Sequence, residues 1–111
     1  MSNLKKERIK HFEEEIQNSP NEPFNYYALA LEYYTVDSNK TLQLLNFLLQ
    51  KFPDYLPTYF QLSQLYIELD YEMAKIEEVF LNGIQLAKLK QDYKTLKELQ
   101  VAYTNWKLSL A

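Results

Sequence analysis

A short pattern of aromatic and apolar residues occurs twice in this chain, 33 residues apart. The first copy, YYALALEYY, begins at Tyr26, and the second, YFQLSQLY, begins at Tyr59. Each copy places a leucine three positions after the first tyrosine, then a small residue, and then a further tyrosine: Tyr26, Leu29, Ala30 and Tyr33, then Tyr59, Leu62, Ser63 and Tyr66. A fixed period of roughly 20–50 residues is typical of proteins that stack similar units. The spacing therefore predicts a repeat architecture rather than one irregular core.

The residue types that most catalytic and cofactor sites require are scarce. The 111 residues include no cysteine, one histidine (His11) and one glycine (Gly83). Cysteine-ligated zinc, a histidine-centred triad and a glycine-rich phosphate loop are therefore not expected. The carboxylate runs at 13–15 and 77–78 place their side chains in different directions around a helix, which favours solvated faces over an acid–base pair. We expect no catalytic residue, metal or cofactor, and hence a protein that is not an enzyme.

Charge and hydropathy limit the cellular compartment and the kinds of binding partner that are expected. The first five residues already include a charged side chain, and no apolar stretch follows that would form a signal peptide. The most apolar segment, residues 42–50, is shorter than the about 20 residues of a membrane span. The net charge is −3 and the middle of the chain is acidic, which disfavours nucleic acid because phosphates would be repelled. These features predict a cytoplasmic protein that binds neither membrane nor nucleic acid.

Helical spacing of the apolar residues predicts six helices and no strand. Pro20, Pro23, Pro53 and the turn 37–39 separate the first four, since proline cannot continue a helix. Asp70 is expected to cap a fifth helix over 71–88, and Asp92 is expected to cap the last. The first four helices are expected at about 4–17, 24–36, 40–52 and 57–69.

These residues resemble the tetratricopeptide repeat, a helix-turn-helix unit of about 34 residues with the pattern W-x2-L-G-x2-Y…A-x3-F…P. A third copy of the first-helix motif is found at Leu96, Leu99, Gln100 and Tyr103. The resemblance implies an all-α fold, a short right-handed solenoid of antiparallel helix pairs, similar to small bacterial proteins with about two repeats and flanking helices. The implied single domain (1–111) has an N-terminal helix (1–19), two repeats (22–55 and 56–90) and a C-terminal capping helix (91–111).

The position after the motif leucine is expected to be small, because the two helices of a unit approach each other there. It is Ala30 in the first copy and Ser63 in the second. In the third copy it is Gln100, and too little chain follows to form a second helix. The last helix is therefore expected to be a solubilising cap.

The resemblance also implies a function. In this family the first helices of successive units line a concave groove that receives a peptide. The corresponding residues here, together with a lysine one turn earlier on the last helix, are Tyr27, Leu31, Tyr34, Phe60, Gln64, Ile67, Lys94, Lys97, Val101 and Thr104. We therefore expect a non-enzymatic protein-interaction module whose protein or peptide partner is apolar and carries an acidic residue.

Two alternatives stay open at this point. Tyr27 and Tyr34 would pack as ordinary core if neighbouring helices cover them. The protein would be a homo-oligomeric scaffold, for example a homodimer, if the same apolar surface or the terminal helix pairs with a second copy. One subclass of the family clamps C-terminal carboxylates, but Tyr27 and Leu31 stand where it has lysine and asparagine, so that activity is not expected.

Overall fold

The computed structural model describes all residues 1–111 and contains six α-helices and no strand, which confirms the all-α prediction. No helix combines the length and the apolar character that a membrane crossing needs. The helices are α1 (Asn3–Asn18), α2 (Pro23–Tyr33), α3 (Ser38–Lys51), α4 (Pro57–Glu68), α5 (Met73–Lys90) and α6 (Tyr93–Ser109). The chain forms two compact units, Met1–Thr58 and Tyr59–Ala111, named here unit 1 and unit 2.

In unit 1, α2 packs against both α1 and α3. Ala30 on α2 is fully buried, and the hydroxyl of Thr41 on α3 donates to its carbonyl oxygen at 3.3 Å. The same hydroxyl lies 3.2 Å from the carbonyl oxygen of Asp37 in its own helix turn. The expected close approach of the two helices at this small position is found. Leu45 and Leu48 of α3 are also fully buried.

An ionic contact joins α1 to α2 on the other side of unit 1. Arg8 Nε donates to both carboxylate oxygens of Glu32, at 2.6 and 3.1 Å. Lys5 Nζ donates to the carbonyl oxygen of Glu32 at 2.8 Å and lies 3.5 Å from its carboxylate. The bond from Arg8 holds the pKa of Glu32 below its usual value, although partial burial opposes the shift. The carboxylate therefore stabilises the fold in its charged form.

The Glu32 contact should make the stability of the protein depend on pH. A carboxyl group with a lowered folded-state pKa stabilises above its unfolded pKa of about 4.3, and the contribution is lost as the pH falls through the folded value. We expect Glu32→Gln to lower the free energy of unfolding by roughly 1 kcal/mol at neutral pH, and by less at about pH 3. Urea unfolding at both pH values measures this difference. Glu14→Gln, at an exposed site without an ion pair, is the control, and an equal effect of the two variants would contradict the role of Glu32.

In unit 2, α5 packs against α6, and α4 lies close to α5 at Gly83. A Cβ atom placed on Gly83 would lie 2.7 Å from the Cβ of Tyr59, so the only glycine of the chain stands where no side chain fits. Phe80 of α5 is fully buried, with its ring centroid 5.8 Å from that of Trp106 on α6. Ser63 is fully buried as expected for a small position, whereas Gln100 is exposed.

The helix ends confirm the expected cap of α6 and correct that of α5. Asp37 and Asp92 are N-caps, since each carboxylate accepts a backbone N–H three residues on, from Lys40 and Thr95. The prediction that Asp70 caps α5 is wrong. Asp70 has a left-handed backbone (φ 61) and follows α4, which ends with a bond from the N–H of Tyr71 to the carbonyl of Tyr66. Asp tolerates this conformation because its side chain is short and polar, and α5 therefore begins later, at Met73.

Candidate functional site

Two adjoining concavities lie between α4 and α6 of unit 2, and together they are named the α4–α6 surface. One has a volume of about 400 Å³ and the other about 320 Å³. They share Phe60, Ala102 and Asn105. The larger is completed by Lys97, Glu98 and Val101, and the smaller by Gln64, Ile67, Trp106 and Ser109. The surface is thus an apolar depression along two helices with polar groups at its margin.

Helical periodicity explains which side chains reach this surface. Phe60, Gln64 and Ile67 recur every three or four residues and share one side of α4, while Leu62 and Leu65 on the other side are buried. On α6, Lys97, Val101 and Asn105 recur every four residues, and Leu99 is buried on the opposite side. The buried leucines anchor both helices in unit 2, so the opposite, half-buried or exposed side chains form the surface.

Most polar side chains of the α4–α6 surface make no hydrogen bond or ion pair within the protein. Lys97 and Glu98 make no ion pair, and the side-chain amides of Gln64 and Asn105 make no hydrogen bond within the protein. Ser109 differs, because its hydroxyl donates to the carbonyl of Trp106 at 2.6 Å. No group of three or more histidine, aspartate or glutamate side chains is arranged to hold a metal ion. The groups without a partner are one ammonium, one carboxylate and two amides, which can form hydrogen bonds and ion pairs with a ligand.

Most of the predicted site residues on α4 and α6 come together here. Phe60, Lys97 and Val101 line the larger concavity, and Phe60, Gln64 and Ile67 line the smaller. Thr104 lies on a third depression on the outer side of α6, together with Lys97 and Val101. Lys94 is exposed one turn before Lys97 and lines none of the three.

The three predicted residues on α2 belong to unit 1 and differ in exposure. Leu31 is exposed, with 40% of its surface accessible, whereas Tyr27 and Tyr34 are half-buried. The ring of Tyr27 meets that of Tyr55 edge-on at 5.7 Å between centroids. Burial, with smaller effects of Tyr27 and Glu22, raises the pKa of the Tyr55 hydroxyl. Tyr27 therefore packs on Tyr55 within unit 1, and of the three predicted α2 residues Leu31 is the most exposed.

Sequence reasoning missed the residues that connect the two concavities. Ala102 and Asn105 line both of them, and Trp106 lines the smaller. Asn105 stands four residues after Val101, so extending the helical spacing by one more turn would have found it. Trp106 is mostly buried, and its position suggested core alone.

Comparison with known proteins identifies the family to which the chain is similar. A solution structure of a tetratricopeptide repeat domain protein from Salinibacter ruber is similar to this chain, with 35% sequence identity and a TM-score of 0.72. The match covers 78% of this chain and 88% of that one. A crystal structure of a tetratricopeptide repeat domain protein from the same organism gives 35% identity and a TM-score of 0.71, over 77% of this chain and 94% of that one.

No family model matches the chain, and neither does any curated protein sequence. The identity and coverage of the solved structures, with the paired helices and their buried small positions, nevertheless establish the family. The chain belongs to the tetratricopeptide repeat family, and its fold is an all-α helical repeat.

Proposed function

We propose that the protein is a non-enzymatic interaction module, and that the α4–α6 surface binds a peptide segment of a protein partner that combines apolar side chains with an acidic residue. The observation that carries this proposal is the apolar depression formed by Phe60, Val101 and Ala102, with the unpaired Lys97 at its edge. An exposed apolar depression on a repeat protein is a common docking site for a protein segment.

Charge supports the acidic character of the partner. Lys97 and Lys94 occupy successive turns of α6, and neither makes an ion pair. Glu98 is the one carboxylate that lines the depression. Lys94 stands beside the Asp92 carboxylate, so Lys97 is the ammonium group that favours a carboxylate on the bound peptide near the N-terminal end of α6. Such an exposed pair contributes little affinity and mainly determines orientation and the rate of association.

Selection from a displayed library of random short peptides, with the full chain as bait, tests the proposal. We expect the enriched sequences to combine apolar residues with aspartate or glutamate. A synthetic peptide of the enriched sequence should bind the wild type, and Val101→Glu should weaken binding by more than about tenfold because it places a charge in the apolar depression. Isothermal titration calorimetry measures both affinities.

Leu81→Glu is the matched control, because it also adds a carboxylate at an exposed aliphatic site. Leu81 is 45% exposed on α5 and Val101 is 51% exposed, and Leu81 lines none of the depressions. The proposal is wrong if no peptide is enriched, or if the two variants bind the peptide equally well. Sedimentation of the same samples tests the homodimer alternative, since a dimer that Val101→Glu converts to monomer would make this surface a self-interface.

The participation of α2 in binding is a separate proposal. Leu31→Ala removes an exposed side chain without touching the contact between Tyr27 and Tyr55. Weaker binding of the selected peptide to Leu31→Ala would show that Leu31 takes part in binding. Unchanged binding would show that it does not.

A further inference from the structure

A chemically labile pair of residues lies in the interior of α5. Asn82 is exposed, and its side-chain amide makes no hydrogen bond within the protein. The next residue is Gly83, the only glycine of the chain. Asparagine is a thermolabile residue, and a following glycine increases its lability because no Cβ hinders the approach of the glycine nitrogen to the side-chain amide. Packing requires this glycine, since a Cβ on it would lie 2.7 Å from the Cβ of Tyr59.

The reaction open to this pair needs only water as a co-reactant. The backbone nitrogen of Gly83 attacks the side-chain carbonyl carbon (Cγ) of Asn82, the amide C–N bond of that side chain breaks, and ammonia leaves with the proton from the Gly83 nitrogen. The product is a cyclic succinimide. Water then opens the ring: attack at Cγ gives aspartate with a normal backbone, and attack at the main-chain carbonyl gives isoaspartate. No atom is oxidised or reduced in either step.

Helix α5 restrains this reaction while unit 2 is folded. The pair lies inside Met73–Lys90, where each backbone N–H donates to the carbonyl oxygen four residues earlier. The nitrogen of Gly83 is thus held in the helix, and it cannot turn toward the Asn82 side chain. Gly83 is also buried against Tyr59 and Leu99, so its backbone is freed only when α5 separates from these residues. The rate of reaction therefore follows the population of open forms of unit 2.

We propose that Asn82 is a spontaneous modification site, at which conversion to isoaspartate records the opening of unit 2 and makes that opening permanent. In isoaspartate the main chain runs through the side-chain carbon atoms and is longer by one carbon. The longer path interrupts the helical hydrogen bonds of α5. It also displaces Gly83 at the place where even one added atom would meet Tyr59. A converted chain therefore does not close α5 against α4 again.

The rate of conversion in folded and unfolded protein tests the protection by α5. The full-length chain is incubated at slightly alkaline pH with and without guanidinium chloride, and peptide mass spectrometry with electron-transfer fragmentation measures isoaspartate at position 82. We expect conversion in buffer to be more than about tenfold slower, since a tenfold difference needs an opening free energy of only about 1.4 kcal/mol. At intermediate denaturant concentrations the rate should rise with the unfolded fraction.

Asn105 is the internal control, because it is followed by the bulky Trp106 and should convert more slowly than Asn82 in the unfolded chain. Equal rates at Asn82 and Asn105 in guanidinium chloride would overturn the inference. Conversion of Asn82 that is as fast in buffer as in guanidinium chloride would overturn it as well, because the helix would then give no protection.

Refolding tests whether the modification is a permanent block. Chains converted in guanidinium chloride are diluted into buffer, and size-exclusion chromatography separates compact from expanded molecules. We expect isoaspartate at position 82 in the expanded fraction and the aspartyl product, which has the same charge and a normal backbone, in the compact fraction. Asn82→Asp is the matched control and should refold like the wild type. Equal proportions of isoaspartate in the two fractions, or failure of Asn82→Asp to refold, would overturn the inference.

Discussion

Phe80→Ala is expected to lower the free energy of unfolding by about 3–5 kcal/mol. Phe80 is fully buried, and its ring lies 5.5 Å from that of Tyr103 and 5.8 Å from that of Trp106, measured between centroids. The truncation would remove the central ring of this cluster and leave a cavity between α5 and α6. Since small domains are stable by only about 5–15 kcal/mol, unit 2 should be severely weakened. Urea unfolding followed by far-ultraviolet circular dichroism measures the loss.

Leu81→Ala is the control for Phe80→Ala, because the neighbouring side chain on the same helix is 45% exposed. Leu81→Ala should lower the free energy of unfolding by less than about 1 kcal/mol. Comparable losses in the two variants would mean that the cluster of Phe80, Tyr103 and Trp106 does not form the core of unit 2.

Gly83→Val should destabilise the protein by about 1–3 kcal/mol through overpacking, even though valine is intrinsically no worse than glycine in a helix. The added Cβ would lie 2.7 Å from the Cβ of Tyr59 and 3.3 Å from a methyl carbon of Leu99. The Tyr59 contact is with an atom attached directly to the backbone of α4, so rotation of the side chain does not relieve it. The two helices have to move apart, and other contacts of α4 are lost.

The control for Gly83→Val is Gln85→Val, which places the same side chain on an exposed position of α5. Thermal and urea unfolding of both variants separate helix propensity from packing. If Gly83→Val is as stable as the wild type, α4 and α5 do not approach as closely as described.

The candidate site was predicted in part from the sequence. The residues at helical spacing after each motif aromatic, such as Phe60, Lys97 and Val101, line one concavity of unit 2. Their exposure follows from the pattern, because the buried face of an amphipathic helix determines which face is left outside. Asn105 continues the same spacing by one more turn, whereas Trp106 was missed because the depth of a depression depends on the distance between helices, which no local pattern encodes.

Local patterns were enough to predict the six helices, the N-cap Asp92 and the small positions Ala30 and Ser63. Each of these depends on residues within one or two turns of the chain, where spacing and cap chemistry act. The role of Asp70 at the end of α4, and not at the start of α5, could not be predicted locally, because an aspartate suits both positions and the packing of the two helices selects between them. The three-dimensional fold was needed to assign it. It also decided that Tyr27 packs on Tyr55 while Leu31 stays exposed. Both are apolar residues on one helix, and burial depends on what another segment of the chain brings against them.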